Sequence, residues 1–152
     1  MLFRPPVAAS LCLRRVLRHL ILLLAIGAGA ASAAGAQSAP NGERTTLAGV
    51  YTREQANAGR DVYAGLCQSC HTTASHTGVI FANLWVGRQL SELFSFVSEK
   101  MPKNAPGSLT PEEYAQVVAQ LLRLNGMPAG SDELPADTVA LKQIRIEVRR
   151  AP

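Results

Sequence analysis

The residues with the clearest chemical potential form the run Cys67-Gln68-Ser69-Cys70-His71. Two thiols separated by two residues can reach the two vinyl groups on one edge of a porphyrin, and the adjacent imidazole can then point at the iron. His71 must be neutral to donate its nitrogen lone pair. The C-x-x-C-H spacing therefore predicts one c-type haem, attached covalently through Cys67 and Cys70, with His71 as an axial ligand.

Other interpretations of this run are weaker. A thiol–disulfide redox site would favour a βαβ context, which the sequence does not indicate. A zinc site needs four ligands, commonly from two C-x-x-C pairs, whereas Cys70 and His71 are direct neighbours and no second cysteine pair exists. A five-residue pattern can also arise by chance. Because the redox and zinc interpretations lack the context and the ligands that they need, we favour haem attachment.

The second axial position of the iron has three candidates, and it could also stay open. His76 lies five residues after His71, too close to cross easily to the opposite face, and we expect it to be a solvent-facing loop histidine. Met127 directly follows the end of a predicted helix. Met101 lies 30 residues after His71 in a loop stiffened by Pro102, so we favour Met101, although a methionine can also simply fill a core.

The first 36 residues have the features of a secretory signal peptide. Four arginines precede an apolar run over 20–26, and small residues follow with cleavage sites after Ala33 and Ala36. An uncleaved membrane anchor is disfavoured, because a spanning helix needs about 20 strongly apolar residues. We expect a periplasmic protein with no stable membrane insertion after cleavage.

The net charge of +4 belongs to that leader. Residues 1–36 hold four of the 15 Lys and Arg residues and none of the 11 Asp and Glu residues, so the rest of the chain is neutral. No basic run with interleaved aromatic residues occurs, which argues against nucleic-acid binding. Cys12 also leaves with the leader. The remaining cysteines, Cys67 and Cys70, cannot form a disulfide framework.

Three helices must position the site. Thr52 and Gln55 fit a capping box ahead of a helix over about 53–64. A second helix is predicted over about 89–99 from apolar residues spaced i, i+3, i+4 and i+7. The third helix has the clearest start, with Thr110 as N-cap, Pro111 at N1 and Glu113 at N3, and it ends at Asn125-Gly126.

The predicted organisation has four parts. After the signal peptide at 1–36 come a flexible linker at 37–50, a haem-binding domain at 51–126 and a tail at 127–152. A domain of three short helices without a sheet buries little surface and usually needs an additional stabilising element. The haem would supply it. The apolar residues of the tail could pack on the domain or bind a larger subunit.

The combination of motifs resembles a bacterial class I cytochrome c, the mono-haem type with His/Met ligation. The resemblance covers about residues 49–126. Within this family, the chain is similar to cytochromes linked to quinoprotein dehydrogenases. It rests on Cys67-x-x-Cys70-His71, on Met101-Pro102-x-x-x-Pro106-Gly107, and on the helix containing Glu113-Tyr114, Val117-Val118-Ala119 and Leu121-Leu122.

The resemblance implies an all-α small cytochrome c fold, with three main helices around a covalently attached haem and an extended C-terminal tail. Gly59 and Tyr63 match the glycine and aromatic residue of the first helix, which packs crosswise on the last. Trp85 matches an aromatic residue near the haem propionates. Where relatives often carry Gly-Pro, this chain has His76-Thr-Gly78-Val. The usual proline carbonyl that orients the ligand imidazole is therefore missing.

The expected function is electron transfer, not enzymatic catalysis. The resemblance implies a dehydrogenase as donor and an oxidase or another cytochrome as acceptor. Lys100 and Lys103 flank Met101, and we hypothesise that they steer an acidic partner surface. Two alternatives are a dedicated cytochrome subunit of a dehydrogenase complex and, less favoured, a haem protein that binds small ligands or reduces peroxide.

Overall fold

The computed structural model describes residues 44–149, which belong to one compact unit. The predicted signal peptide, both of its cleavage sites and the start of the predicted linker lie outside the described residues. Within that part of the chain the elements are β1 (Arg44–Thr45), α1 (Arg53–Leu66), α2 (Gly78–Trp85), α3 (Leu90–Lys100), α4 (Pro111–Leu124), α5 (Thr138–Leu141) and β2 (Ile144–Arg145). No helix of residues 44–149 has the length and hydropathy needed to span a bilayer.

The three predicted helices are confirmed as α1, α3 and α4. The capping box of α4 is complete: the Thr110 N–H donates to Glu113 Oε2 at 2.8 Å, and the Glu113 N–H donates to Thr110 Oγ1 at 3.2 Å. At α1 only half of the expected box forms. Thr52 Oγ1 accepts from the Gln55 N–H at 3.1 Å, but the Gln55 side chain does not bind back to Thr52. The Gln55 side chain binds elsewhere, as described below.

The centre of the fold is the crossing of α1 and α4. A Cβ atom added to Gly59 would lie 1.8 Å from the carbonyl oxygen of Gln116. The two helix backbones therefore touch at this point, which only glycine permits. Tyr63, one turn later on α1, and Tyr114, Val117, Val118 and Leu121 on α4 are buried around the crossing.

Residues 44–50 are ordered, so the prediction of a flexible linker over 37–50 is wrong for this part. β1 pairs in parallel with β2. Thr46 is fully buried, and its Oγ1 donates to the Glu147 carbonyl at 2.7 Å and accepts from the Glu147 N–H at 2.9 Å. Glu147 lies about a hundred residues from Thr46 along the chain. A polar segment without periodicity gives no signal of such a distant partner.

The tail packs against the helices. The Gln55 side-chain amide donates to the Leu134 carbonyl at 2.9 Å and accepts from the Leu134 N–H at 2.8 Å. The short helix α5 packs on α3. Leu134, Leu141, Ile144 and Ile146 are each at most 4% exposed, so these four side chains pack inside the chain, whereas Val139 is 73% exposed.

The segment after the C-x-x-C-H run is more regular than expected. It contains a 3-10 helix at Thr73–His76 and the helix α2, neither of which is among the three helices predicted from the sequence. Val79 and Ile80 on α2 are 74% and 51% exposed. Because apolar residues follow each other on this helix without a 3.6-residue period, the sequence did not mark it.

Candidate functional site

Cys67, Cys70, His71 and Met101, the four predicted site residues, line one cavity of about 850 Å³. This volume is within the range of small-molecule and cofactor sites. Much of the remaining wall is apolar and comes from α1, α2, α3 and α4, including Leu66, Phe81, Leu84, Leu93, Val97, Val117 and Leu121. Leu66, Leu84 and Phe96 are 46%, 55% and 45% exposed, as expected for side chains facing a wide cleft.

The C-x-x-C-H run forms a tight turn at the end of α1. The Cys70 N–H and the His71 N–H both donate to the Cys67 carbonyl, at 3.1 and 2.9 Å. Cys67 is half-buried and Cys70 is exposed, and neither forms a disulfide. Burial raises the pKa of the Cys67 thiol. The turn brings both thiols and the imidazole to the wall of the same cavity.

Met101 directly follows α3 and is half-buried in the cavity wall. Its carbonyl accepts a hydrogen bond from the hydroxyl of Tyr114 on α4 at 2.8 Å, which fixes the chain where it leaves α3. Met127 is 3% exposed and is not among the cavity-lining residues. Of the three axial candidates, Met127 is therefore the one that the structure separates from the site.

His76 is not the solvent-facing histidine that we expected. It is half-buried and lines the cavity beside His71, with ring centroids 4.6 Å apart. Burial lowers the pKa of His76, and the neighbouring His71 lowers it further. Tyr63 meets the His76 ring edge-on at 5.9 Å. The only sequence signal for this position was the His76-Thr-Gly78 run in place of Gly-Pro.

Asn125 fastens the His76 loop to the end of α4. Its Nδ2 donates to the His76 carbonyl at 2.9 Å, and its Oδ1 accepts from the Gly78 N–H at 3.1 Å. We expected Asn125 only to end the helix, together with Gly126, which has a left-handed φ of 77°. Its side chain also fixes the loop that carries His76.

The cavity lining also includes a charged pair that the sequence did not single out. Arg88 forms an ion pair with Glu92, and its guanidinium lies 5.0 Å from the centre of the Trp85 ring. Trp85 also contacts Phe96, with ring centroids 5.5 Å apart. Hydrogen bonds from the Arg88 side chain and then from the Gln89 backbone hold the pKa of Glu92 below its usual value. The lowered pKa favours the charged form of the Glu92 carboxylate beside Arg88.

These residues fit a covalently held haem. The lining of one largely apolar cavity includes two cysteines that are not in a disulfide, an imidazole and a thioether. By contrast, residues 44–149 contain no group of three His, Cys, Asp or Glu side chains placed to hold a metal ion, so the zinc alternative has no ligand set there.

A sequence profile of the family described as cytochrome c oxidase, cbb3-type, subunit III matches residues 54–140. The chain belongs to this family of c-type cytochromes. Comparison with curated proteins and with solved structures gives no match.

Membership of the family confirms several predictions for this cytochrome. Its fold is all-α, its cofactor is covalently bound haem c, and it is an electron carrier and not an enzyme. The match is also consistent with a class I mono-haem protein. The link to quinoprotein dehydrogenases finds no support in the match and stays a prediction.

Proposed function

We propose that this cytochrome is a periplasmic protein that carries one electron from a dehydrogenase to a terminal acceptor, either an oxidase or another cytochrome. In this proposal Cys67 and Cys70 hold the haem through thioether bonds, and His71 and Met101 are its axial ligands. The observation that carries the proposal is that all four residues line one largely apolar cavity of about 850 Å³.

Haem c, when bound, supplies an iron that cycles between the ferrous and ferric states. The soft sulfur of Met101 favours the ferrous state and so raises the reduction potential. The apolar cavity wall acts in the same direction, because it disfavours the additional positive charge of the ferric state. With His71 and Met101 both ligating, no position remains open for O₂ or peroxide, which favours electron transfer.

The proposal includes export. Residues 1–36 act as the signal peptide, with cleavage after Ala33 or Ala36. In this proposal residues 51–126 form the haem-binding core; the packing of α5 on α3 supports a tail that lies on this core. Partner binding is transient and involves a small patch near the cavity mouth, as is usual for redox encounters.

The direct test is to mature the protein in a host with haem-attachment machinery and to examine the periplasmic fraction. We expect the chain without its leader to carry the mass of one haem, which resists extraction with acidified acetone. The Cys67→Ser/Cys70→Ser variant should lose all covalent haem, because no thioether bond can form. Cys12→Ser removes a cysteine of the leader and should change nothing. Free thiols at both positions of the wild-type holoprotein would contradict the proposal.

The second prediction concerns partner steering by Lys100 and Lys103. Both lysines are exposed, and Lys103 lines the cavity. Reversing both charges should slow the reaction of the holoprotein with hexacyanoferrate, an anion, about tenfold at low ionic strength. The same change should speed the reaction with the cation hexaammineruthenium. Both effects should vanish as salt screens the charges, and stopped-flow kinetics over a salt series measures them.

The matched control for this charge reversal is Arg53→Glu/Lys142→Glu. It changes the net charge by the same amount at exposed residues that do not line the cavity. If both double variants alter the two rates equally, the effect comes from net charge, and Lys100 and Lys103 have no steering role.

A second candidate function is that of a dedicated subunit in a larger redox complex. The description of the matching family names an oxidase subunit, and Val79, Ile80 and Val86 remain 40% to 74% exposed. Size-exclusion chromatography of a native extract, followed by the haem absorbance, separates the two candidates. A carrier elutes near the mass of the single chain, whereas a subunit elutes with a larger protein.

A further inference from the structure

Three backbone carbonyls of the segment after the C-x-x-C-H run already accept hydrogen bonds from neighbouring groups. A histidine that ligates a metal almost always donates its other ring N–H to a carboxylate, a carbonyl or a water. The Thr72 carbonyl, however, accepts from both the N–H and the hydroxyl of Ser75, at 3.0 and 2.7 Å. The Thr73 carbonyl accepts from the hydroxyl of Thr77 at 3.2 Å.

The carbonyl of His76 is also engaged, since it accepts from Asn125 Nδ2 at 2.9 Å. The His76 side chain, by contrast, lies directly against the His71 ring. Its ring centroid lies 4.6 Å from that of His71, with the ring planes inclined at 54°. An imidazole nitrogen that carries no proton can accept a hydrogen bond.

Neighbouring residues hold the His76 ring in this place. Tyr63, which is 3% exposed, contacts it edge-on at a centroid distance of 5.9 Å and an angle of 83°. Asn125 fixes the backbone at His76 and at Gly78. The ring is therefore presented to His71 by two different helices, α1 through Tyr63 and α4 through Asn125.

We propose that His76 is a positioning residue, which accepts a hydrogen bond from the ring N–H that His71 does not use for the iron. The inference rests on the proposed function, in which His71 is an axial ligand. The bond fixes the tautomer and orientation of the His71 imidazole and makes it a stronger donor to the iron. A stronger donor favours the ferric state, so His76 opposes the effect of Met101.

The decisive measurement is nuclear magnetic resonance on the uniformly ¹⁵N-labelled ferrous holoprotein, which is diamagnetic with both axial ligands bound. We expect a scalar coupling across the hydrogen bond between the His71 ring N–H and a His76 ring nitrogen. A His71 ring proton that exchanges freely with water and shows no such coupling overturns the inference. If His71 still ligates the iron in that protein, the proposed function stands without this refinement.

Variants provide an independent test through the midpoint potential. His76→Leu should weaken the preference for ferric iron about tenfold, which corresponds to a rise of about 59 mV. His76→Gln keeps an acceptor and should move the potential by less than half as much. Thr77→Val, the matched control, removes the loop hydrogen bond to the Thr73 carbonyl but keeps both imidazoles, and it should leave the potential unchanged. Equal shifts in the Leu and Gln variants, or in the Leu and control variants, overturn the inference.

Discussion

Replacing Gly59 with alanine should lower the free energy of unfolding of the holoprotein by more than about 3 kcal/mol. The added Cβ would lie 1.8 Å from the Gln116 carbonyl oxygen and 2.3 Å from the carbonyl carbon. Both are backbone atoms inside α4, so no side chain can rotate away, and α1 and α4 must separate. Since these helices also form the cavity wall at Tyr63 and Leu121, the holoprotein yield should fall too. Denaturant unfolding followed by haem absorbance measures the loss.

Gly65→Ala is the matched control for the crossing. Gly65 lies on the same helix, and a Cβ atom there would meet nothing within 4 Å. Alanine at this position should stabilise the protein by about 0.5–1 kcal/mol, because glycine is a poor helix former. The two alanine variants should therefore change stability in opposite directions. Two changes of the same sign and similar size would mean that α1 and α4 do not meet at Gly59.

The parts of the fold that the sequence predicted are those with local signals. The start of α4 is marked by Thr110, Pro111 and Glu113 within four residues, so its first residue can be predicted directly from the sequence. α1 and α3 end only slightly later than predicted, at Leu66 and Lys100. Caps and the 3.6-residue apolar period act within one or two turns, so neighbouring residues contain the information.

The parts that the sequence did not predict depend on distant partners. Thr46 is polar and looks like linker, but Glu147 satisfies its hydroxyl from the far end of the chain. Gln55 was assigned to a local capping box, yet its amide pairs with the backbone of Leu134. In both cases the local alternative is chemically reasonable, and only the tertiary contact decides between them.

The same distinction applies to the site. The C-x-x-C-H spacing is local, so Cys67, Cys70 and His71 could be found by inspection. Met101 lies 30 residues after His71, so its place at the site depends on a loop that returns to the cavity. The sequence predicts a solvent-facing His76, because this residue is too close to His71 to reach the opposite face of the haem. In the structure, Tyr63 on α1 and Asn125 at the end of α4 hold it beside His71.

Replacing Met101 with leucine should have the largest effect on the chemistry of the site. In the proposed arrangement leucine keeps the apolar volume but removes the sulfur ligand. The ferric holoprotein should then become high-spin and lose the weak near-infrared band of methionine–iron ligation. Axial ligands set haem potentials over a range of about 0.8 V, and methionine lies at the high end. We expect the midpoint potential to fall on the order of 0.2 V.

Met127→Leu is the control that separates ligation from packing, because Met127 is buried but does not line the cavity. A swap that conserves volume usually changes stability by less than about 1.5 kcal/mol, and it should leave the spectrum and the potential as they are. Since both variants lose one thioether and gain one leucine, a difference between them reports the position of the sulfur. If Met127→Leu abolishes the near-infrared band and Met101→Leu keeps it, the axial assignment of Met101 is wrong and the loop after α3 serves only to close the cavity.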